Sequence, residues 1–375
     1  MFDSTRRKWL QALGISGAAA TIAGCAGSEA PAVTETTTDS TAAQSDGPSE
    51  TDADRVAADP TDLPDPVDWS SPKTHEVTLT VEEVTAEIEP GVTFDYMTFD
   101  GQIPGPMIRV RQGDTVEFTM ENAPDSAMVH NVDFHAVYGT GGGAVATTAT
   151  PGSENSMRFR AEYPGAFIYH CAVPNLDYHI SAGMFGMILV EPTQGLPEVD
   201  TELYLGQHEL YTDKDTGEEG HHGFDFEAMA DENPTYVVLN GEKYAWAAAR
   251  YGPAEVDQGD RVRVFLVDGG PNLSSNFHPI GNVWSQAYRD GGLPEDGDFA
   301  GYADKNTQTM KVPPGSCMIG EMETPVPERI KLVDHALSRV ARKGLLAEVD
   351  VNGSENGRIY DPDAKGTSHE GPIYE

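Results

Sequence analysis

A cysteine, two histidines and a methionine occur in an order and at a spacing that suit a metal site. Cys171 is followed by seven residues and then by His179, and four further residues precede Met184. His130 lies about forty residues upstream of the cysteine. A thiolate, two imidazoles and a weak thioether are the ligands of a blue copper centre, whereas structural zinc sites rarely use methionine. The alternative is a buried cysteine with unrelated histidines nearby, and the combination favours copper.

Two further histidines, His135 and His170, are placed so that they cannot bind the same ion. His135 lies five residues after His130, an odd offset that turns the two side chains to opposite faces of a strand. His170 is adjacent to Cys171 and must likewise point away from it. If His135 and His170 share a second metal, the His170–Cys171 peptide connects two metal sites covalently. For either histidine alone, a structural role is the alternative.

Short runs of alternating apolar and polar residues must position these side chains. Three such runs, bounded by glycine, proline and asparagine, predict β-strands: His75–Val84, Met107–Met120 and Phe185–Val190. Many short strands with frequent turn residues are typical of a β-sandwich. The sequence therefore predicts an all-β fold.

The sequence also contains an internal repeat. Val110–Val116 (VRQGDTV) recurs as Val256–Val262 (VDQGDRV), and Pro164–Gly165 recurs as Pro314–Gly315 at nearly the same offset. Two copies of one sandwich are the economical explanation, with a boundary near residues 193–199.

The repeat shows what the second copy has lost. Cys171 lies six residues after Gly165, and the residue six positions after Gly315 is Glu321. The second copy therefore lacks the thiolate. Cys317 is offset from that position and lies near apolar residues, which predicts a cysteine of the core.

The charge of the chain limits its partners and its environment. Its 375 residues include 61 acidic and 24 basic side chains, a formal net charge of −37. Such a surface is repelled by nucleic acids and by anionic membranes. A hydrophobic content of 38% and 14 tyrosines argue against a disordered chain. The remaining interpretation is a folded protein of a salt-rich, halophilic environment, where dense counterions screen the self-repulsion.

The first 25 residues have the pattern of an export signal. Ser4–Leu10 (STRRKWL) contains a twin-arginine pair, Ala12–Ala23 is an apolar run, and Ile22–Cys25 (IAGC) matches a lipoprotein box ending in Cys25. We expect export by the twin-arginine route and a lipid anchor on the outer face of the cell membrane. No later stretch of about 20 apolar residues occurs, so the sequence predicts no membrane span.

The remaining chain divides into four parts. Residues 26–65 are rich in Thr, Ser, Ala and Asp and predict a disordered tether. Residues 66–193 form the first predicted domain, which holds the thiolate, and residues 194–353 form the second. Residues 354–375 are a polar tail.

Three segments carry a resemblance to the copper nitrite reductase family. They are His130–His135 (HNVDFH), Tyr169–Ala172 (YHCA) and His179–Met184 (HISAGM). The similarity extends over roughly His75–Gly353 and includes Pro234–Gly241 (PTYVVLNG).

The resemblance implies the fold and the metal ligands. It implies two tandem cupredoxin-like Greek-key β-sandwich domains, a homotrimer and two copper ions per subunit. The implied ligands of the type 1 copper are His130, Cys171, His179 and Met184. The implied ligands of the type 2 copper are His135, His170 and, from the neighbouring subunit, His335 within Leu332–Leu337 (LVDHAL).

The resemblance also implies a reaction, the dissimilatory reduction of nitrite to nitric oxide and water by one electron. Asp133 would hydrogen-bond nitrite and deliver a proton. His278, within Asn276–Ile280 (NFHPI), would act as a general acid, and Ile280 would cap the bound nitrite.

The implied electron donor is a small blue-copper protein or a cytochrome c. Electrons would enter at the type 1 copper and pass through Cys171 and His170 to the type 2 copper. Because two acidic proteins repel each other, we expect association with an acidic donor to strengthen as salt concentration rises.

The loop after Cys171 departs from the commonest family pattern. It has seven residues and ends in Asp177–Tyr178 before His179, where many members have one residue more and Pro-Trp. The departure leaves the ligands unchanged and the colour of the type 1 centre open. Five histidines match no role: His75, His208, His221, His222 and His369. The pair His221–His222 lies in an acidic stretch and is expected to be solvated.

Two other functions fit parts of the pattern. An electron-transfer cupredoxin without catalysis explains the first site but leaves His135 and His170 unused. A two-domain multicopper oxidase requires His-x-His pairs, which the sequence lacks, and Cys171 is followed by Ala172. The enzyme that reduces nitrite uses all of the residues.

Overall fold

The computed structural model describes residues 55–364. The predicted export signal, most of the predicted tether, the end of the tail and His369 lie outside the described residues. This described part of the chain contains twenty strands: β1 (Thr74–Glu89), β2 (Val92–Phe99), β3 (Gly105–Arg111), β4 (Thr115–Asn122), β5 (Asp133–Phe134), β6 (Glu154–Arg160), β7 (Gly165–His170), β8 (Phe185–Glu191), β9 (Thr201–Leu210), β10 (Gly220–His222), β11 (Tyr236–Leu239), β12 (Ala254–Asp257), β13 (Arg261–Gly270), β14 (Ser275–Ile280), β15 (Trp284–Tyr288), β16 (Asp304–Thr307), β17 (Met310–Val312), β18 (Ser316–Glu323), β19 (Arg329–Asp334) and β20 (Ala347–Asn352).

The helices between these strands are short. They are α1 (Ala144–Thr147), α2 (Leu176–Ser181), α3 (Phe226–Ala230), α4 (Phe299–Tyr302) and α5 (Ser338–Lys343), with 3₁₀ turns at Thr140–Gly143 and Arg289–Gly291. Within residues 55–364, none of them has the length and hydropathy that crossing a bilayer requires.

The strands form two sandwiches of two sheets each, which confirms the predicted fold class. In the first sandwich the sheets have the orders β10-β2-β1-β4-β6 and β3-β8-β7-β5. In the second they have the orders β11-β9-β13-β18-β15-β16 and β12-β20-β19-β14-β17. Strand β4 shows why such segments form half-buried sheet, since Val116, Phe118 and Met120 point inward and alternate with threonine and glutamate. The domain boundaries themselves stay a prediction.

One sheet of the second sandwich is buried on both faces. On β13, Val264 and Leu266 pack into the second core, whereas Phe265 and Val267 pack into the core of the first sandwich. This explains the nearly continuous apolar run of this strand, because neither face meets water. The ring of Phe185 lies where the two sandwiches pack together. A Cβ added to Gly206 would lie 2.9 Å from this ring, and one added to Gly269 would lie 2.8 Å from it. These glycines therefore allow the two sandwiches to approach closely.

Three details differ from the sequence-based expectations. The run Met107–Met120 is two strands, β3 and β4, because the turn around Gly113 (φ +93°) separates them. The tether ends earlier than residue 65, since the backbone N–H groups of Val56 and Ala57 donate to the buried Glu242 carboxylate at 3.1 and 3.0 Å. His222 is fully buried rather than solvated, because β10 joins a sheet of the first sandwich.

Candidate functional site

Three of the predicted type 1 ligands converge at the end of the first sandwich. Cys171 directly follows β7, His179 lies in α2, and His130 forms an isolated bridge with Ala149. The Cys171 Sγ atom lies 3.6 Å from His179 Nδ1 and 3.9 Å from His130 Nδ1, and the two Nδ1 atoms are 3.2 Å apart. All three side chains are buried.

Met184, the fourth predicted ligand, closes the same loop. The Cys171 N–H donates to the Met184 carbonyl at 3.1 Å, and the Met184 N–H donates to the His179 carbonyl at 3.0 Å. Its side chain has no exposed surface. The backbone thus holds three of the four predicted residues in one tight loop.

Hydrogen bonds fix the orientation of this first donor set. His130 Nε2 lies 3.2 Å from Glu83 Oε1, so an Nε2–H group can donate to the carboxylate while Nδ1 faces the sulfur. Asn131 Oδ1 accepts a hydrogen bond from the Ala172 N–H at 2.8 Å. A carboxylate behind a metal-binding histidine fixes its tautomer and its ring orientation.

The second predicted set comes together where β5 pairs with the end of β7. Asp133 on β5 is paired with His170 on β7. Oxygen and nitrogen atoms of Asp133, His135 and His170 all lie within 4.8 Å of one another, and the Nε2 atoms of the two histidines are 3.1 Å apart. The His170 Nδ1–H donates to the Cys171 carbonyl at 2.9 Å, which aims Nε2 at His135.

Burial favours the neutral form of three imidazoles of the two sets. It lowers the pKa of His130, and burial together with the neighbouring His130 lowers the pKa of His179 to about 4. Burial, then the adjacent His170, lowers the pKa of His135. Burial raises the pKa of the Cys171 thiol, so loss of this proton must accompany metal binding. Neutral histidines offer the lone pairs that a metal needs.

The donor chemistry of both sets fits copper. In each set two imidazole nitrogens face each other at 3.1–3.2 Å, a distance at which one cation between them satisfies both lone pairs. The first set adds a soft thiolate from Cys171 and a thioether in the same loop from Met184, which select copper over harder ions. The second set has imidazoles and one carboxylate and lacks sulfur, which suits a copper with an open position.

The remaining predicted residues lie together but apart from the second set. The rings of His278 on β14 and His335, just after β19, have their centroids 5.2 Å apart. The His278 Nδ1–H donates to the Gln308 carbonyl at 2.7 Å, and Nε2 has no hydrogen-bond partner within residues 55–364. Neither histidine belongs to the described cluster around His135, and His335 is exposed. Ile280 ends the same strand with 39% of its surface exposed.

A cavity of about 520 Å³ opens beside the second set. His170, Leu176 and Ile180 of the first sandwich line one side of it, and Pro271 and Gly315 of the second line the other. This cavity gives the buried face of His170 a connection to solvent.

Several residues that support these sites carry no signal in the sequence. Glu83, behind His130, is one of five glutamates of strand β1, and it lies 47 positions before the histidine that it contacts. The Gln308 carbonyl is a backbone group, so no residue type indicates it. Asn131 is visible inside the predicted motif, but its role becomes clear only from the contact with Ala172.

Comparison with known proteins places these sites in context. The sequence profile described as multicopper oxidase matches residues 80–195. The chain is 41% identical to a copper-containing nitrite reductase of Neisseria meningitidis serogroup B over 318 residues, which cover 85% of this chain and 79% of that protein. It is 32% identical to a copper-containing nitrite reductase of Rhizobium sullae, over 76% of this chain and 78% of that protein.

A solved structure shows the same architecture. The copper nitrite reductase of Nitrosomonas europaea superimposes with a TM-score of 0.66 at 30% identity, and the match covers 76% of this chain and 95% of that one.

Proposed function

The chain belongs to the copper-containing nitrite reductase family, and from this membership we propose how its residues reduce nitrite. The chain is an oxidoreductase that uses copper. The reaction adds one electron and two protons to nitrite and releases nitric oxide and water. The observation that carries the proposal is the presence of two converging donor sets joined by the consecutive residues His170 and Cys171.

When bound, copper supplies one-electron chemistry at both sets and, at the second, a cationic open position for an anion. We assign His130, Cys171, His179 and Met184 to the type 1 copper. The shortest covalent connection between the two sets runs through the backbone of Cys171 and His170, which we assign as the electron path. The donor would be a small blue-copper protein or a cytochrome c.

Asp133 and His278 are the residues that we assign to proton delivery. The Asp133 carboxylate lies beside His135 and His170, where it can hydrogen-bond an anion held there and pass on a proton. His278 keeps its Nδ1–H on Gln308 and so presents Nε2, the atom that can give the second proton. Imidazole changes its charge in the physiological pH range, which suits a proton relay.

The position of His335 supports a site shared between subunits. His335 lies beside His278 and is exposed, outside the cluster of His135 and His170 in its own chain. In a homotrimer the neighbouring subunit would supply His335 as the third imidazole, and His278 and Ile280 would arrive with it. The proposed active site is therefore complete only in the assembly.

Electron paramagnetic resonance of the copper-loaded protein, with a copper count, tests the two sites. We expect two copper ions per chain and two distinct signals, of which only the type 2 signal shifts on addition of nitrite. One blue-copper signal that is indifferent to nitrite at full loading would indicate an electron carrier instead.

Two substitutions test the proton donors. Asp133→Asn and His278→Asn should each lower kcat on the order of 10²- to 10⁴-fold, because a positioned general acid contributes about that much. Asp125→Asn and His221→Asn, at exposed positions, are the matched controls. Full activity in either of the first two variants would remove that residue from the mechanism.

We also propose an extracytoplasmic location in a halophilic cell. The twin-arginine pattern at Arg6–Arg7 and the lipoprotein box ending in Cys25 support export and lipidation, and the net charge of −37 supports a saline medium. Replacing both arginines by lysine should retain the protein inside the cell, while Cys25→Ala should release it from the membrane fraction. Membrane association that survives Cys25→Ala would contradict the anchor.

A further inference from the structure

The middle one of three consecutive glycines packs against Asp133. Gly141, Gly142 and Gly143 have φ angles of +58°, +55° and +106° and form a left-handed turn before helix α1. Residues other than glycine adopt such positive φ angles only with a loss of stability, so the three glycines favour this turn. It brings the backbone of residue 142 directly against the Asp133 side chain.

Gly142 leaves no room for a side chain. An added Cβ would lie 1.8 Å from Asp133 Oδ1, 2.9 Å from its Cγ and 2.7 Å from the carbonyl oxygen of Phe134. At Gly141 the same addition would meet only the Cβ of Ala144, at 3.6 Å, which is ordinary contact. The two positions share nearly the same φ, so they differ chiefly in what a methyl group would strike.

The backbone on either side of Asp133 is fixed independently. Thr147 Oγ1 accepts a hydrogen bond from the Val132 N–H at 3.0 Å and lies 3.2 Å from the carbonyl oxygens of Val132 and Gly143. Across the sheet, Asp133 of β5 is paired with His170 of β7. With the backbone held in this way, the surface of Gly142 decides where the carboxylate lies.

We propose that Gly142 is a positioning residue for nitrite reduction. Its missing side chain provides the space in which the Asp133 carboxylate remains within 4.8 Å of the His135 and His170 nitrogens. The inference rests on the proposed role of Asp133 in proton delivery. A methyl group at residue 142 would push the carboxylate away from the bound anion, and a displacement of about 1 Å can cost on the order of 100-fold in rate.

The test compares Gly142→Ala with Gly141→Ala in the copper-loaded protein. Both variants carry an alanine at nearly the same left-handed φ, so backbone strain is matched. Gly142→Ala should lower kcat/KM for nitrite on the order of 100-fold, and Gly141→Ala by less than about threefold. The type 1 absorption should be the same in both, because neither contacts Cys171. Equal activity of the two variants would overturn the proposal.

A double-variant cycle with Asp133→Ala isolates the contact. In the Asp133→Ala background, Gly142→Ala should cause no further loss of activity, because no carboxylate remains to be displaced. The unfolding midpoint of the copper-free protein gives a second readout. Gly142→Ala should lower it more than Gly141→Ala, and Asp133→Ala should recover part of the difference, while the contact with the Phe134 carbonyl persists. If the effects of Gly142→Ala and Asp133→Ala simply added, both in activity and in the unfolding midpoint, the inference would be contradicted.

The same experiments separate this inference from the function on which it rests. If Asp133→Ala retains full activity, the role of Asp133 in catalysis is wrong, whatever Gly142 contributes. If Asp133→Ala is impaired while Gly142→Ala matches Gly141→Ala, the role of Asp133 stands and the positioning by Gly142 fails. Should Gly142→Ala not fold, Thr147→Val provides a milder change to the same support. It should lower kcat/KM only when Asp133 is present, and a loss independent of Asp133 would count against the proposal.

Discussion

His208 should make the protein less stable as the pH falls. It is fully buried in β9, its Nδ1–H donates to the Ser181 carbonyl at 2.9 Å, and Nε2 has no hydrogen-bond partner among residues 55–364. Burial lowers the pKa of His208 to about 4, and the bond to Ser181 offsets this only in part. In the unfolded chain an ordinary histidine has a pKa of about 6.5.

The folded and unfolded pKa values of His208 give the direction and the size of this pH effect on stability. Above pH 6.5 His208 is neutral in both states and favours neither. Between pH 6.5 and 4 the unfolded state takes up a proton that the folded state does not, so the free energy of unfolding decreases as the pH falls. The full effect is about 3 kcal/mol, of which about 2 kcal/mol lies between pH 7 and pH 5.

The assay is urea denaturation of the copper-free protein at constant high salt, at pH 7 and pH 5. His208→Asn is the variant of choice, because its amide can still donate to the Ser181 carbonyl but does not titrate. The free energy of unfolding of the native protein should fall by about 2 kcal/mol more than that of the variant over this range. If the free energy of unfolding fell by the same amount in both proteins, His208 would not be the buried neutral histidine that we assign.

Three further predictions concern other parts of the molecule. Cys171→Ser should remove the type 1 absorption and about one copper per chain while the nitrite-sensitive signal persists, and a variant that keeps its colour would contradict the ligand assignment. Glu321→Ala should lower the free energy of unfolding by about 3 kcal/mol, because it leaves the buried Arg263 guanidinium with one carboxylate fewer; a loss below about 1 kcal/mol in chemical denaturation would show that Glu202 compensates. Turnover with an acidic native donor should increase from low to high salt in stopped-flow measurements, and a rate that falls with salt would count against charge repulsion between the partners.

The sequence indicates which candidate ligands come together where these residues are close along the chain. Cys171, His179 and Met184 occupy one loop, so their spacing alone indicates a shared site. The odd offset between His130 and His135 predicts different sites for the two histidines from strand alternation, although only Asp133–Phe134 of this segment is strand in the structure. The structure brings His130 together with Cys171 and His135 together with His170, and their roles as metal ligands stay a prediction.

The sequence predicts poorly what depends on distant contacts. The proximity of His278 and His335 follows from the pairing of β14 with β19, and only the family resemblance suggested a joint role. The burial of His222 depends on β10 crossing to a sheet of the other sandwich, which no local pattern indicates. Gly142 looks like any glycine of a turn, because its importance comes from the side chain that lies against it.

The loss of the thiolate from the second sandwich has a clear structural replacement. At the repeat position of Cys171 the second sandwich carries Glu321, which binds Arg263 at 2.7 Å in the interior. Arg263 also binds Glu202, and Glu202 binds Arg109 of the first sandwich at 2.6 Å. The position that holds a candidate metal ligand in one copy therefore belongs, in the other, to a chain of ion pairs between the two copies.

The separation of His335 from His135 and His170 within one chain has a genetic consequence. In the proposed homotrimer, a subunit that lacks His170 would still lend its His335 to a neighbour, and a subunit that lacks His335 would still offer its own His170. In randomly mixed trimers of two such inactive chains, about one quarter of the interfaces would bring together the two intact halves. Two defective alleles in one cell should thus complement each other, whereas two different defects on the same allele should not.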